Sequence, residues 1–295
     1  MEKIHIQFSR FSAFYSPLII AIAGNFLQEE GFIPEWSIAS SPSDATLALA
    51  NGSVDIIQSA VSQGFGPSGS KHNSKVSHFA QINQMDGFFI TSRKQQTNFK
   101  WHNLEGSKMI LQPGGQPLAM FKYACKKAGI DFNKIEKINP LPDLDMDQSF
   151  RIGHGDYIQQ QGPAPQQLEA DGYGYVVANV GAQVGVCAFS SLAARKVWLE
   201  GDKCFAFIKA YSKARNFINE HSAIEISSIE KPFFPDLPQD VLSTCIDQYK
   251  KTDCWGGPIQ ITEQAFNSTV EIFNYNGLLQ RQPVYSEICK DIKFI

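Results

Sequence analysis

Apolar runs of strand type and amphipathic runs of helix type take turns along this chain, and that alternation restricts the fold more tightly than any other feature. Ile4, Ile6 and Phe8 alternate as in a strand. Ser16 then offers a cap and Pro17 a first position for a helix running to about Glu30, with Gly31 just past its end. The pattern predicts a strand at 35–40, a short helix opened by Ser43 and Asp44, and a strand at 54–58. Strands at 75–82 and 88–93 follow, with a turn at Asp86-Gly87 between them. A second unit starts near Lys100, with a strand at 109–112 and a glycine-rich turn into a helix ending at Gly129. Strands at 135–138, 156–160 and 173–177 and helices at 143–152 and 163–170 complete it. From Gly185 onward the chain reads as mostly helical, and 202–220 is its clearest amphipathic stretch. Such alternation predicts an α/β fold with mixed, mostly parallel sheets flanked by helices. One small unit set inside a larger one predicts two lobes. The first comprises 1–93 and 187–295 and the second 94–186, with crossings near 91–95 and 184–190.

The 295 residues suit about two domains, and a net charge of −3 gives no bulk attraction for nucleic acid or an anionic membrane. No charge block or low-complexity run argues for disorder, and no stretch approaches the ~20 apolar residues of a membrane span. Lys3 and Arg10 ahead of the apolar run 17–24 imitate a secretory leader, but a strand, loop and Pro-started helix fit the same residues better. The expectation is a periplasmic protein if a leader was removed, and otherwise a cytoplasmic one. The six cysteines form no C-x-x-C pair and several, such as Cys125 and Cys187, fall within apparent helix or strand interiors, so buried free thiols are expected. The six histidines are scattered without metal-ligand spacing, and no nucleophile elbow or acid–base pair is present. No metal, cofactor or catalytic set is therefore predicted. His154, between two glycines, is the residue closest to a catalytic candidate, with a plain turn as its alternative.

Several motifs follow one another in a distinctive order. A strand leads through a polar-aromatic loop to Ser16-Pro17-Leu18. Leu47 to Ile56 (LALANGSVDI), Asn103 to Lys108 (NLEGSK), Ala128-Gly129-Ile130-Asp131, and Gly153-His154-Gly155-Asp156 with Gly162-Pro163 come next. Over roughly residues 3–220 this series resembles the substrate-binding proteins of alkanesulfonate, taurine, nitrate and thiamine-pyrimidine ABC transporters, a family that also holds the fungal thiamine-pyrimidine synthases. The resemblance implies the type II periplasmic-binding-protein fold, a small-molecule ligand and a transporter permease as partner. The scattered cysteines depart from the cysteine cluster of the fungal synthases.

In open α/β sheets ligands bind beyond the carboxyl ends of the strands, and that rule selects a few loops. Arg10, Phe11, Phe14 and Tyr15 offer a guanidinium and aromatic faces suited to a flat heterocycle or small anion, the two phenylalanines being alternatively core. Ser59, Ala60 and Gln63 stand where free amides and hydroxyls could hold an anionic or carbonyl group. Gly114, Gly115 and Gln116 let a ligand approach backbone at a helix start, although no phosphate-loop lysine follows. Gln159, Gln160 and Gln161 precede a Pro-started helix, and strand alternation turns Gln160 away from its two neighbours. Asp86 and Ser190 flank the predicted crossings, and Cys254 to Gly257 form either a turn over the cleft mouth or a plain surface turn; resemblance to the synthase branch implies a cofactor-binding pair at Lys71-His72, with a surface loop as the alternative. The sequence thus predicts a monomeric solute-binding protein for a small polar, anionic or heteroaromatic molecule. A cytoplasmic enzyme on the same scaffold, making thiamine pyrimidine or dehydrating a chorismate-type substrate, is the alternative.

Overall fold

The computed structural model describes residues 1–66 and 75–292. Ten strands, β1 Glu2–Phe8, β2 Phe32–Ile38, β3 Ile56–Ser59, β4 Val76–Asn83, β5 Phe88–Ser92, β6 Lys108–Ile110, β7 Glu136–Ile138, β8 Tyr157–Gln161, β9 Tyr175–Asn179 and β10 Ser190–Arg195, form two five-stranded sheets. The first runs in the order β2-β1-β3-β10-β4 and the second β7-β6-β8-β5-β9. The orders correspond strand for strand. In the first sheet β10 lies antiparallel between β3 and β4, and in the second β5 lies antiparallel between β8 and β9. The remaining pairings within β1–β3 and β6–β8 are parallel. Each sheet is therefore mixed, with one reversed strand.

Both reversed strands enter directly after the chain has crossed from the other sheet, at 84–87 and 180–189. This corrects two sequence expectations. Residues 88–93 were expected in the first lobe, but Phe88–Ser92 pairs with β8 and β9, so the first crossing lies before it. The second is β10, which falls where mostly helix was expected. Ser190-Ser191-Leu192-Ala193-Ala194-Arg195 has little intrinsic strand preference, and its pairing partners on both sides decide the outcome.

The first helix carries the leader-like sequence. Ser16–Ala23 has Pro17 in its first turn and buries seven of its eight residues, each large aliphatic side chain contributing about 1.5–3 kcal/mol by burial. It stops earlier than expected because Asn25 turns left-handed at φ 63°, leaving Phe26–Glu29 as a separate turn. The helix expected from Ser43 starts instead at Pro42, where Ser41 Oγ accepts from the Asp44 amide at 3.1 Å, and ends at left-handed Gly52. The helix Asp202–Glu220 buries Cys204, Phe207, Ile208, Tyr211, Ala214, Arg215 and Ile218 along one stripe. Arg215 is 2 % exposed and donates to the carbonyls of Gln81, Ile82, Trp255 and Gly256, four dipoles in place of a counter-ion. That grip draws the turn at 254–257 inward. Trp255 is buried and its Nε1 donates to the Phe14 carbonyl at 3.0 Å, so the turn lies beneath the crossings and not over the cleft.

The first crossing is packed without slack. A methyl group on Gly87 would stand 2.3 Å from the Phe14 ring, and one on Gly181 would stand 2.1 Å from the Asp86 carbonyl oxygen. The Tyr249 hydroxyl donates to the Gly87 carbonyl at 2.8 Å and accepts from the Gly162 amide at 2.9 Å. Its helix, Gln239–Lys251, thereby holds strand ends from the second sheet. All six cysteines are buried and unpaired.

Candidate functional site

A cavity of about 210 Å³ lies where the corresponding edges of the two sheets meet. From the first sheet it receives Ser9 and Arg10 after β1, Gln58, Ser59 and Ala60 at the end of β3, and Phe189 and Ser190 at the start of β10. The second sheet contributes Gly114 to Pro117 after β6, Gln161 at the end of β8 and Phe88 at the start of β5.

On the first-sheet side, buried Gln58 fixes the loop. Its Oε1 accepts from the Ser9 amide at 3.1 Å, the Ser9 hydroxyl at 2.9 Å and the Arg10 amide at 3.2 Å. Three bonds to one carbonyl oxygen set the path of the backbone at Arg10. The Arg10 side chain is left exposed, and its guanidinium has no carboxylate partner among the described residues. Beneath it Tyr15 is 3 % exposed. Burial pushes its phenol above the ordinary value, against the opposing pull of hydrogen bonding to Gln161, the Arg10 charge and hydrogen bonding to Ser190.

The second-sheet side is backbone. The helix Gly115–Ala128 begins at Gly114, which is extended and supplies no side-chain cap. Its first amides therefore have no intrahelical acceptor and concentrate the positive end of the helix dipole on the cavity. Gly115 sits at φ 66°, a conformation that favours glycine, and nothing lies within 4 Å of a side chain built at Gly114. The two sides touch through side-chain bonds: Ser62 Oγ to Gln116 Oε1 at 2.5 Å, Gln116 Nε2 to the Phe189 carbonyl at 3.1 Å, and Ser12 Oγ to Gln161 Oε1 at 3.2 Å.

Of the residues selected from sequence, Arg10, Tyr15, Ser59, Ala60, Gln63, Gly114, Gly115, Gln116, Gln161 and Ser190 line this cavity. Phe11 and Gln160 line a neighbouring one that shares Arg10, Phe88 and Gln161. Phe11 turns outward and stacks on Trp36 at 5.2 Å and on Phe234 at 5.2 Å. Three selected residues reach neither cavity. Phe14 is fully buried on Gly87, Phe189 and Tyr249 because its turn folds under the crossing. Gln159 faces the helix behind the sheet and donates to the Pro117 carbonyl at 3.3 Å. Asp86 is 1 % exposed inside the first crossing, where Oδ1 accepts from the Phe88 amide at 2.5 Å and Oδ2 has no partner. Burial pushes its carboxyl up to about 7, only partly countered by the amide.

Sequence reasoning missed Pro42, Gln58, Phe88 and Phe189. Gln58 adjoins the selected Ser59 and shares its strand end. Phe88 opens one reversed strand and Phe189 immediately precedes the other; both strands reach the cleft with their amino ends, so a rule about carboxyl ends passes over them. His154 lies outside the cavity, its Nε2 bonded to the Asn139 carbonyl at 2.9 Å. Lys71 and His72 lie outside the described residues. Among the described residues no group of three His, Cys, Asp or Glu side chains is placed to hold a metal, and no helix is long and apolar enough to cross a membrane.

The architecture has counterparts in known proteins. YtlA of Bacillus subtilis (strain 168), named as a binding protein, is 29% identical over 294 residues, covering 98% of this chain and 87% of its own. The ligand-binding component of an ABC-type import system from Staphylococcus aureus, solved with zinc bound, superposes with a TM-score of 0.75 at 15% identity, covering 99% of this chain and 97% of its own. For the alkanesulfonate-binding protein SsuA of Xanthomonas axonopodis pv. citri, bound to MOPS, the TM-score is 0.72 at 14% identity with 99% of each chain covered. The fold is that of periplasmic binding proteins. A family model described as NMT1/THI5 like matches residues 13–223, well over half of the chain, and the protein belongs to that NMT1/THI5-like family.

Proposed function

We propose that this protein is the solute-binding component of an ABC-type import system, acting outside the cytoplasm as a monomer and delivering a small anionic or heteroaromatic molecule to a membrane permease. The two sheets would be the cores of two lobes that close on the ligand, with the chain crossing at 84–87 and 180–189. One observation carries the reading: an arginine with no carboxylate partner among the described residues stands across a small cavity from an uncapped helix amino terminus. Both favour the same kind of guest, an acid group of sulfonate or similar chemistry. Tyr15 and Phe88 border the cavity as nearly buried side chains and give it an apolar floor for a flat body. The bonds of Ser12 to Gln161 and Ser62 to Gln116 join the two sides and are the ones that closure would complete. The names of YtlA, the Staphylococcus protein and SsuA support the same role.

Thermal shift and small-angle scattering across a panel of sulfonates, pyrimidines and amino acids test this. A ligand at 100 times its dissociation constant stabilises the folded state by about 2.7 kcal/mol, so a clear rise in Tm with a smaller radius of gyration is expected for at least one anionic or heteroaromatic member. No response to any member would overturn the reading.

A further inference from the structure

The turn Ala13–Tyr15, which sets Tyr15 against the cavity, is gripped from behind. The Phe14 carbonyl accepts from Asn83 Nδ2 at 2.6 Å and from Trp255 Nε1 at 3.0 Å, two donors that do not titrate. The Ala13 carbonyl lies 2.8 Å from the Ser16 hydroxyl oxygen, which in turn lies 2.9 Å from Glu230 Oε2. A serine hydroxyl carries one hydrogen and cannot donate to both neighbours. If it serves Ala13, the hydrogen between Ser16 and Glu230 belongs to the acid. Glu230 ends the helix Ala223–Glu230, is fully buried, and has no partner at Oε1. Facing it are the Ser16 hydroxyl and, from the helix Gln239–Lys251, the Cys245 thiol, which burial pushes up and keeps neutral. Lys231, the next residue, turns its ammonium away to the carbonyls of Phe234, Pro235 and Leu237. Among the described residues no cation reaches Glu230. An ionised carboxylate there would be a buried charge without a partner, whereas a neutral acid leaves only one carbonyl oxygen short of a bond.

We propose that Glu230 is a positioning residue for the binding cavity: a neutral acid that donates to Ser16, which then donates to Ala13 and fixes the turn presenting Tyr15. Its effect on a ligand rests on the reading of that cavity as the binding site. The segment after Glu230 holds the same loop a second time, since the Phe234 ring stacks on Phe11 at 5.2 Å. Burial pushes the Glu230 carboxyl up to about 8, against the bond with Ser16 that favours the ionised form. The donor is therefore present at neutral pH and lost as pH rises through about 8. Once ionised, Glu230 can only accept. The Ser16 hydrogen then swings from Ala13 to Glu230, and the turn loses the one tie that a proton controls.

Two measurements on the native chain and Glu230→Gln test the proposal. The infrared difference spectrum between them at neutral pH should contain the C=O stretch of one protonated carboxyl, fading as pH rises through about 8; buried Asp86 is common to both proteins and cancels. Calorimetric titration with benzenesulfonate, whose charge is constant over this range, reads the effect on the site. Its dissociation constant should rise about fivefold between neutral pH and about pH 9.5 in the native chain, the worth of one hydrogen bond, and less than about twofold in the variant, whose amide donates at every pH. Should Glu230→Gln fail to fold, Ser16→Ala takes its place: removing the acceptor should raise the frequency of the same band and flatten the same affinity profile. Absence of the acid band overturns the proposal, and so do equal affinity profiles in the native chain and the variant. Failure of benzenesulfonate to bind at any pH overturns the sulfonate-type anion reading and the positioning role with it, while the infrared band still decides the state of the acid by itself.

Discussion

Ser12 and Gly114 occupy corresponding places, each between the first strand of a three-strand parallel run and the helical segment that follows. Ser12 accepts from the Phe14 amide at 3.2 Å and so closes the helical turn Ala13–Tyr15 on itself. Gly114 offers no such group, and the helix Gly115–Ala128 stays open toward the cavity. The first edge instead presents side chains, Arg10, Tyr15 and Ser59, on a loop fixed by Gln58. Identical topology thus delivers an exposed point charge from one side and fixed backbone dipoles from the other. Two such donors can both reach one guest only when the edges come together. The comparison teaches how a cleft can be selective for a charge sign without a single buried ion pair.

Four measurements press on that contrast. The largest effect is expected from the first edge: Arg10→Ala should weaken benzenesulfonate binding by about 100-fold, which is about 2.7 kcal/mol, with Tm of the free protein unchanged. An unchanged dissociation constant would place the acid group wholly on the second edge.

The two crossings differ as well, since the first holds buried Asp86 and residues 180–189 hold no acid. The Asp86 carboxyl titrates at about 7 in the folded protein, above the ~3.9 of an unfolded aspartate. Folding therefore favours the protonated form. Its stability contribution is complete below about pH 4 and is lost as pH rises through about 7. Urea unfolding should show Asp86→Asn gaining on the order of 2 kcal/mol relative to the native chain between pH 5 and pH 8. Glu230, pushed up to about 8 by burial against its bond from Ser16, accounts for pH dependence that remains in the variant. Equal pH slopes for the two proteins would show that Asp86 is ionised at no such cost.

Tyr249→Phe should cost about 1.5 kcal/mol in the same assay, because the Gly162 amide loses its acceptor and the Gly87 carbonyl its donor. A neutral result would mean that the first crossing does not depend on this tie. The smallest effect is expected at Gly114→Ser, which gives the second edge the cap that the first already has. Tm should rise slightly, by a few tenths of a kcal/mol in stability, and benzenesulfonate affinity should fall about threefold. An unchanged affinity would remove the helix terminus from the site.

Much of this architecture was legible because period-two and period-3.6 apolar patterns report burial directly: Ile4, Ile6 and Phe8 read as a strand and form one. β10 was not legible. Its Ser-Ser-Leu-Ala-Ala core carries no local signal, and only β3 and β4 on either side make it a strand. The assignment of 88–93 to the first lobe failed for a related reason, since periodicity identifies a strand but not the sheet it joins. Within the site, loop position found Arg10, Tyr15 and Gly114, while side-chain direction divided the rest. Phe11 and Phe14 stand three residues apart, yet one stacks outward on Trp36 and the other is sealed under Gly87. That choice depends on surfaces contributed by Phe189, Tyr249 and Phe234, far along the chain.

The exchange of reversed strands between the sheets has a consequence for how the molecule comes into being. β4 joins the first sheet only through β10, whose six residues are made more than a hundred positions later. Until Arg195 has left the ribosome, the first sheet is a three-strand fragment with the pairing edge of β3 bare and β4 adrift. An N-terminal piece that stops short of residue 190 therefore has no native form to adopt, and its open edge is a template for the wrong partner. Long-range closure of this kind makes for slow folding. For this chain, time spent incomplete is written into the strand order itself.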